Sequence, residues 1–186
     1  MEILQARLPD GQEENKILRD TAEKVTDLKS AEIKTLIKKM AEAMFAEPDG
    51  IGIAAPQIGK SLRIFLVAKD AAVKNAEELH QKINEELKER KKEYLVFINP
   101  VLKNTSSKKI KDMEGCLSVR GYYGDVLRPE KITVEYFDEL GKKHTRGASG
   151  LFARVIQHEL DHLDGILFID KAKNIKHFPQ TLKNDD

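Results

Sequence analysis

The stretch His158-Glu159-Leu160-Asp161-His162 decides how the rest of the chain is interpreted. Residues four apart lie on the same side of an α-helix, one turn above the other, so both imidazoles can reach one divalent cation. The glutamate beside the first histidine can then take a proton from a water molecule at that cation. The pattern therefore indicates a metal site on a helix that carries its own base, although it names no reaction by itself.

Two amphipathic helices are predicted. The one that carries the histidines is expected to begin around Gly150 and to run to Asp164, because Gly165 supplies a C-terminal stop. An earlier helix is expected between Ser30, a typical N-cap, and Pro48, which cannot continue a helix. The apolar residues of this earlier helix recur at helical spacing: Ile33, Leu36, Ile37, Met40 and Met44.

Strands are predicted in the middle of the chain, where β-branched and aromatic residues are bounded by turn residues. The expected segments are 62–68, 94–99 ending at Pro100, a partner strand near 101–104, a strand around 126, and a hairpin of 132–137 with a return strand near 142–146. Residues 74–93 are rich in Glu and Lys and predict a solvated amphipathic helix. The pattern is typical of the α+β class, and we expect one domain over residues 1–186.

Composition narrows the functional classes. The 186 residues include 32 basic and 31 acidic side chains spread along the chain, and the net charge of +1 predicts neither nucleic-acid nor membrane partners. No apolar run is long enough for a transmembrane helix. The one cysteine excludes an intrachain disulfide and suits a reducing cytoplasm. Residues 1–15 resemble neither a secretory signal nor a transit peptide, so an organelle location would require a transit peptide that had been removed.

A catalytic metal site usually has three protein ligands, so the histidine pair needs a third. The downstream candidates are weak, because Asp164 lies too close on the helix while Asp170 and His177 lie in an ordinary polar tail. Upstream, Cys116 lies within Glu114-Gly-Cys-Leu-Ser118, where a thiolate is a credible ligand. A lone cysteine is more often a small buried apolar residue, so the residues alone leave both alternatives open.

The segment Gly50-Ile-Gly-Ile-Ala-Ala-Pro-Gln57 is predicted to be a close-packed loop. It lacks the lysine and spacing of a Walker phosphate loop and the third glycine of a dinucleotide-binding loop. Small residues at alternate positions instead allow another backbone or a peptide substrate to approach closely. Gln57 supplies an amide donor, although a glutamine beside a turn is usually only a solvated polar residue.

Together these three segments resemble the peptide deformylases. The family pattern has, in this order, a G-x-G-x-A-A-x-Q loop, an E-G-C-x-S segment and an H-E-x-D-H helix, and the resemblance covers about residues 16–170. It implies antiparallel β-sheets packed around the helix that carries the H-E-x-x-H motif. It also implies a hydrolase that removes the N-formyl group from the formylmethionine of newly synthesised polypeptides and releases formate.

The resemblance assigns roles to particular residues. The positions that match the family's metal ligands are Cys116, His158 and His162. Those that match its general acid/base and its two oxyanion donors are Glu159, Gln57 and the backbone N–H of Leu117. The positions expected at the substrate are Gly50, Gly52, Ile53 and Val155.

The resemblance also implies a cofactor and partners. The cofactor is one divalent metal ion per chain, with Fe(II) as the physiological ion and Zn(II), Ni(II) or Co(II) as substitutes. The partners are N-formylmethionyl peptides and nascent chains in a cytoplasm of bacterial type, with a transient ribosome contact as a further expectation. The tail after Asp170 is short and polar, so attachment through a long C-terminal helix, as in some members, is not implied.

One departure and two alternatives stand beside this hypothesis. Arg120 takes the place of a proline common in bacterial members, and with Tyr122 and Tyr123 it either borders the substrate groove or belongs to an ordinary loop. A general H-E-x-x-H peptidase would need a downstream ligand and would tolerate loss of Cys116. A silent, deformylase-like binding protein would be expected to have lost a ligand or Glu159, and none is lost here.

Overall fold

A computed structural model of the chain describes residues 2–6, 15–72 and 92–178. Both predicted amphipathic helices lie in these ranges: α1 spans Ala31–Ala46 and α2 spans Gly150–Leu163. Neither of these helices is long and apolar enough to cross a membrane. The predicted charged helix at 74–93 lies outside the described residues, except for its last two positions.

Helix α1 forms where its local sequence directs it. The Ser30 side chain accepts a hydrogen bond of 3.2 Å from the backbone N–H of Ile33, which satisfies one of the free donors of the first turn. The helix ends at Ala46, before Pro48, as predicted. Its predicted apolar stripe is confirmed, since these side chains are buried: Ile33, Leu36, Ile37, Met40 and Met44.

Eight strands form two antiparallel sheets within the described ranges. In chain order they are β1 (Gly52–Ala54), β2 (Ile64–Ala68), β3 (Tyr94–Thr105), β4 (Lys109–Cys116), β5 (Val119–Pro129), β6 (Lys131–Phe137), β7 (Lys143–Ser149) and β8 (Lys173–His177). The five-stranded sheet has the order β1-β2-β3-β6-β7, and the three-stranded sheet has the order β4-β5-β8. Helix α2 contacts strands of both sheets, so the predicted α+β class with antiparallel sheets around the motif helix is confirmed.

The five-stranded sheet is covered on both faces. Along β2, Ile64 and Leu66 belong to the same buried cluster as the apolar residues of α1. The intervening Phe65 and Val67 belong to the cluster that contains the apolar residues of α2. Because successive side chains of a strand point to opposite faces, burial on both faces makes this strand apolar throughout.

The prediction of two paired strands at 94–99 and 101–104 is wrong, because both segments belong to β3. The first half of β3 pairs with β2 and the second half with β6. The pairing register shifts between Ile98 and Val101, which allows Pro100 within the strand because a bulge needs no backbone donor there. Asn99, with a positive φ of 48°, exchanges side-chain hydrogen bonds of 2.9 and 2.8 Å with the backbone of Val25.

Two strands lie in segments that were predicted to be irregular. Strand β1 lies within the predicted close-packed loop, and β8 lies in the predicted polar tail. All five residues of β8 are exposed, so no apolar alternation marks this strand in the sequence. Its pairing with β5 rests on backbone hydrogen bonds, which are available to any non-proline sequence.

Gly165 should be intolerant of any side chain. Its φ is +71°, and a Cβ at this position would overlap the backbone carbonyl of Arg19. We expect Gly165→Ala to lower the free energy of unfolding by about 2 kcal/mol, because backbone strain and overlap act together. Gly147→Ala is the matched control, since nothing lies within 4 Å of the added methyl group. Urea unfolding measures both, and equal effects of the two substitutions would contradict this account.

Candidate active site

Three side chains from two distant segments meet at α2. His158 and His162 lie one helical turn apart with ring centroids 5.0 Å from each other. Cys116, at the end of β4, places its Sγ 3.2 Å from Nε2 of His162. One potential ligand atom from each of the three residues lies within 4.8 Å of the others. The structure thus brings together the three residues that the family resemblance implied as metal ligands.

The downstream candidates for a third ligand lie elsewhere. The carboxylate of Asp164 accepts a hydrogen bond of 2.7 Å from Arg63, and Asp170 forms an ion pair with Arg19. His177 stacks on Tyr122 with ring centroids 4.4 Å apart. Among the described residues, the grouping of potential ligands consists of Cys116 and the two motif histidines. The arrangement expected of a peptidase with a downstream ligand is therefore not found in this part of the chain.

The donor set fits a borderline or moderately soft divalent metal. One thiol and two imidazoles are ligands that zinc, iron, cobalt and nickel accept. Burial lowers the pKa of His162 well below its ordinary value, and the charges of His158 and Arg128 act in the same direction. The neutral imidazole that results is the form that binds metals. In addition, Nδ1 of His162 and Oε2 of Glu159 are buried without a hydrogen-bond partner among the described residues.

A buried carboxylate holds the first histidine in place. Glu114 accepts hydrogen bonds from Arg128 at 2.6 and 2.8 Å, from Arg154 at 2.6 Å and from Nδ1 of His158 at 3.1 Å. Burial acts to raise the pKa of Glu114, but the hydrogen bonds from Arg128 and His158 lower it well below its usual range. Glu114 is therefore ionised, and its bond to Nδ1 leaves Nε2 of His158 for a metal.

The two arginines also join the second sheet to α2. Arg128, on β5, donates a hydrogen bond of 2.8 Å to Asp161 of α2. Arg154, on α2, donates to the backbone carbonyls of Val126 at 3.1 Å and Ile110 at 2.8 Å. Neither arginine nor Glu114 was predicted to have a role in the site. One usable signal is that Glu114 stands two positions before Cys116, a spacing that places side chains on the same side of a strand.

The predicted base lies deep in the site. Glu159 is 3% exposed, and burial raises its pKa to about 7 despite the opposing charges of His158 and Arg128. Gly52 of β1 packs directly against it, since a Cβ on Gly52 would overlap Oε1 of Glu159. The absence of a side chain at position 52 is thus what allows β1 to run beside this carboxylate.

Gln57 is a buried, oriented amide rather than a solvated one. It lies on the short 3-10 turn Ala55–Ile58 and is 1% exposed. Its Oε1 accepts a hydrogen bond of 2.8 Å from the backbone N–H of Ala54. Its Nε2 donates to Oγ of Ser118 at 3.1 Å and lies 3.6 Å from Sγ of Cys116. The amide N–H groups therefore point at the edge of the Cys-His-His group.

A cavity of about 310 Å³ opens onto these groups. The sequence-predicted residues that line it are Gln57, Gly52, Cys116, Leu117, Val155, His158 and Glu159. Two predicted substrate residues lie outside its lining. Ile53 is fully buried in the cluster with α1, and a Cβ on Gly50 would overlap the carbonyl of Met44 at the end of that helix. Gly50 and Ile53 pack β1 and the residues before it against α1. A direct contact of either residue with substrate stays a prediction.

Comparison with known proteins decides the family. The family model described as polypeptide deformylase matches residues 11–178. The chain belongs to the polypeptide deformylase family. Among similar proteins, a peptide deformylase of Picosynechococcus sp. is 40% identical over 161 residues, which are 86% of this chain and 76% of that protein. A peptide deformylase of Pelagibacter ubique is 40% identical over 166 residues, 88% of this chain and 85% of that protein.

Solved peptide deformylase structures have the same fold. The Synechococcus elongatus peptide deformylase in complex with actinonin has a TM-score of 0.75 and 34% identity, covering 93% of this chain and 80% of that one. The Thermotoga maritima peptide deformylase has a TM-score of 0.72 and 29% identity, covering 93% and 99%. As a polypeptide deformylase, the chain is a metal-dependent hydrolase that removes the N-formyl group from N-formylmethionyl peptides.

The departure from the deformylase pattern lies at the cavity wall. Arg120, Tyr122 and Tyr123 all line the cavity. The guanidinium of Arg120 lies 3.1 Å from both carboxylate oxygens of Asp49 and forms an ion pair with Glu47. These ion pairs join the start of β5 to the segment before β1. They fix the position of Arg120 by side-chain contacts, whereas a proline there would restrict the backbone itself.

The Glu114 carboxylate should matter for both metal affinity and stability. Glu114→Gln removes the negative charge that orients His158, and we expect metal affinity to fall about 10- to 100-fold. It also leaves two buried arginines undercompensated, which should lower the free energy of unfolding of the metal-free protein by about 3 kcal/mol. Metal titration and urea unfolding measure these effects. Glu93→Gln, which affects an exposed pair with Lys69, is the control. An unchanged metal affinity in Glu114→Gln would refute the orienting role.

Proposed function

We propose that Cys116, His158 and His162 hold the deformylase metal and that Glu159 moves the proton during removal of the formyl group. One observation carries this assignment. The buried Glu159 carboxylate, with an oxygen that has no hydrogen-bond partner in the described part of the chain, lies beside the group of Cys116, His158 and His162, and it shares a cavity with the first two. Burying an unpaired carboxylate is energetically costly, which marks this residue as a candidate for the chemistry of the site.

The proposed metal is Fe(II), with Zn(II), Ni(II) or Co(II) as substitutes. The support is the donor set of one thiolate and two imidazoles, which accepts each of these ions. When bound, such an ion supplies a Lewis acid that polarises the formyl carbonyl and makes a water molecule acidic near neutral pH.

Glu159 is proposed to act first as base and then as acid. Its carboxylate accepts a proton from the attacking water and later delivers it to the nitrogen of the leaving amine. A C–O bond to the formyl carbon forms and the C–N bond breaks, so that formate and a free methionine amine are released. The pKa of about 7 supports this role, because a group with a pKa near the working pH can both accept and return a proton.

Gln57 and the backbone N–H of Leu117 are the proposed oxyanion donors. Negative charge builds on the formyl oxygen as the carbon becomes tetrahedral, and fixed donors stabilise it at that moment. Removing one such donor typically costs about 3–4 kcal/mol of transition-state stabilisation. The buried amide of Gln57 beside Cys116, and the position of Leu117 directly after it, support this assignment.

The peptide is proposed to bind along β1. This strand lies at the edge of the five-stranded sheet, so its outer side can accept an added strand from a peptide backbone. We expect the peptide backbone to pair with Gly52 on that edge and to pass close to Gly50, just before the strand. Leu117 and Val155, which line the cavity, are the proposed apolar wall for the methionine side chain, with Ile53 as a supporting residue packed behind them. A formyl carbon carries only hydrogen, so a narrow site would exclude an acetyl methyl group by overlap.

Nascent chains bearing N-formylmethionine are the proposed partners, with a transient ribosome contact as a further expectation. The proposed location is the cytoplasm. The similarity to bacterial peptide deformylases and the need of the site for a reduced thiol support this location.

Two substitutions test the assignment of the base and the thiol ligand. We expect Glu159→Ala to keep one metal per chain and to lower kcat/KM for formyl-Met-Ala-Ser by about 100- to 10,000-fold, because proton transfer is lost. Cys116→Ala should lose bound metal and activity together. Formate release by anaerobically prepared, Fe(II)-loaded protein is the measurement, alongside metal analysis.

His144→Ala is the matched control, since His144 pairs with Asp138 on the β6–β7 hairpin and lines no part of the cavity. It should leave kcat/KM unchanged. Activity that survives loss of Glu159 would overturn its assignment as the base. Cleavage of internal peptide bonds that tolerates loss of Cys116 would instead favour a general peptidase.

A further inference from the structure

A short N-terminal segment bridges the two elements that carry the proposed oxyanion donors. This N-terminal arm comprises residues 3–6, and three hydrogen bonds join it to other residues that the structure describes. The backbone N–H of Leu4 donates to the carbonyl of Gln57 at 2.8 Å. The side-chain amide of Gln5 donates to the carbonyl of Leu117 at 3.0 Å, and the backbone N–H of Ala6 donates to the carbonyl of Ser118 at 2.7 Å. Leu4 thus binds the backbone of Gln57, and the next residue, Gln5, binds the backbone of Leu117.

Apolar packing anchors the N-terminal arm on the same two elements. Ile3, 8% exposed, belongs to the buried cluster that contains Ile58 and Leu117. Ala6, also 8% exposed, belongs to the cluster that contains Val119, and Leu4 packs against that cluster. A segment with both hydrogen bonds and buried apolar contacts has a defined position rather than a loose one.

The two donors need such a bridge because they belong to different sheets. Gln57 follows β1 of the five-stranded sheet, whereas Leu117 follows β4 of the three-stranded sheet. In the described ranges, no ladder of backbone hydrogen bonds joins these sheets. A direct link between the donor elements is the amide of Gln57, which donates to the Ser118 hydroxyl at 3.1 Å and to Sγ of Cys116 at 3.6 Å. The N-terminal arm adds a second connection, because it donates hydrogen bonds to backbone carbonyls of both elements.

We propose that the N-terminal arm is a positioning element that sets the separation of Gln57 from the N–H of Leu117. This inference rests on the proposed function, which assigns those two groups as oxyanion donors. The arm precedes the residues that match the family model, 11–178. Oxyanion donors act mainly when charge develops in the transition state, so a misplaced pair lowers kcat while KM changes little.

The test removes the arm in two ways. One variant lacks residues 2–6, and the other is Gln5→Ala, which removes the bond to the Leu117 carbonyl together with a bond of 3.2 Å to the Ile3 carbonyl within the arm. Glu2→Ala is the control, because Glu2 is exposed and precedes the arm. Each variant is made in the unaltered chain and again with Gln57→Ala. Fe(II)-loaded proteins are assayed anaerobically for formate release from formyl-Met-Ala-Ser, after thermal unfolding and metal analysis have shown them folded and loaded.

We expect the deletion to lower kcat about 10- to 100-fold and Gln5→Ala to lower it about 3- to 10-fold, with KM within about 3-fold. In the Gln57→Ala background, the same changes should lower kcat by less than about 2-fold, because one of the two donors whose separation the arm sets is already absent. Glu2→Ala should match the unaltered chain in both backgrounds.

Two results would overturn the proposal: an unchanged kcat in folded arm variants, or the same loss with and without Gln57, which would mark a purely structural role. If the deletion variant does not fold, Gln5→Ala decides by the same criteria. Failure of the proposed donor assignment is distinguishable, since Gln57→Ala alone would then leave kcat of the metal-loaded chain unchanged.

Discussion

The rest of the site depends on one buried carboxylate. Glu114 lies where β4 approaches α2 and accepts hydrogen bonds from two guanidinium groups and one imidazole. Each of these partners would be costly to bury alone, and a negative charge at their centre compensates them. Because Arg128 comes from β5 and Arg154 from α2, the same carboxylate also fixes the small sheet against the motif helix.

This constraint explains how a cysteine far away in sequence reaches the histidines. Glu114 and Cys116 stand on the same short piece of β4, so a strand held through Glu114 also brings the thiol to α2. The other face of the site is formed by β1, where Gly52 leaves room for the Glu159 side chain. The metal group and the base are thus held between two sheets, and neither sheet alone contains the whole site.

Local pattern predicted those parts of the fold that local physics controls. Helix α1 was predictable because an N-cap and a regular apolar stripe act within a few residues of each other, and α2 because its motif and its stop are adjacent. The bent strand β3 was not, because Pro100 ordinarily ends a strand and only tertiary pairing on both sides retains it here. Strand β8 was not, because every one of its side chains is exposed.

The candidate site shows the same division. The motif glutamate and histidines are readable from spacing on one helix, whereas Cys116 became a firm ligand candidate only through the resemblance to a family. The ion pairs of Arg128 and Arg154 with Glu114 join residues 14 and 40 positions apart, and no periodic signal encodes such pairs. The contacts of the N-terminal arm with residues 57 and 117 are similarly remote in sequence.

The central claim is that Cys116 joins the two histidines in one metal centre. X-ray absorption spectroscopy of the anaerobically prepared, Fe(II)-loaded protein tests it most directly, because sulfur and nitrogen neighbours of the metal scatter differently. We expect one sulfur ligand and two imidazole nitrogens from the protein. A spectrum without a sulfur neighbour would contradict it.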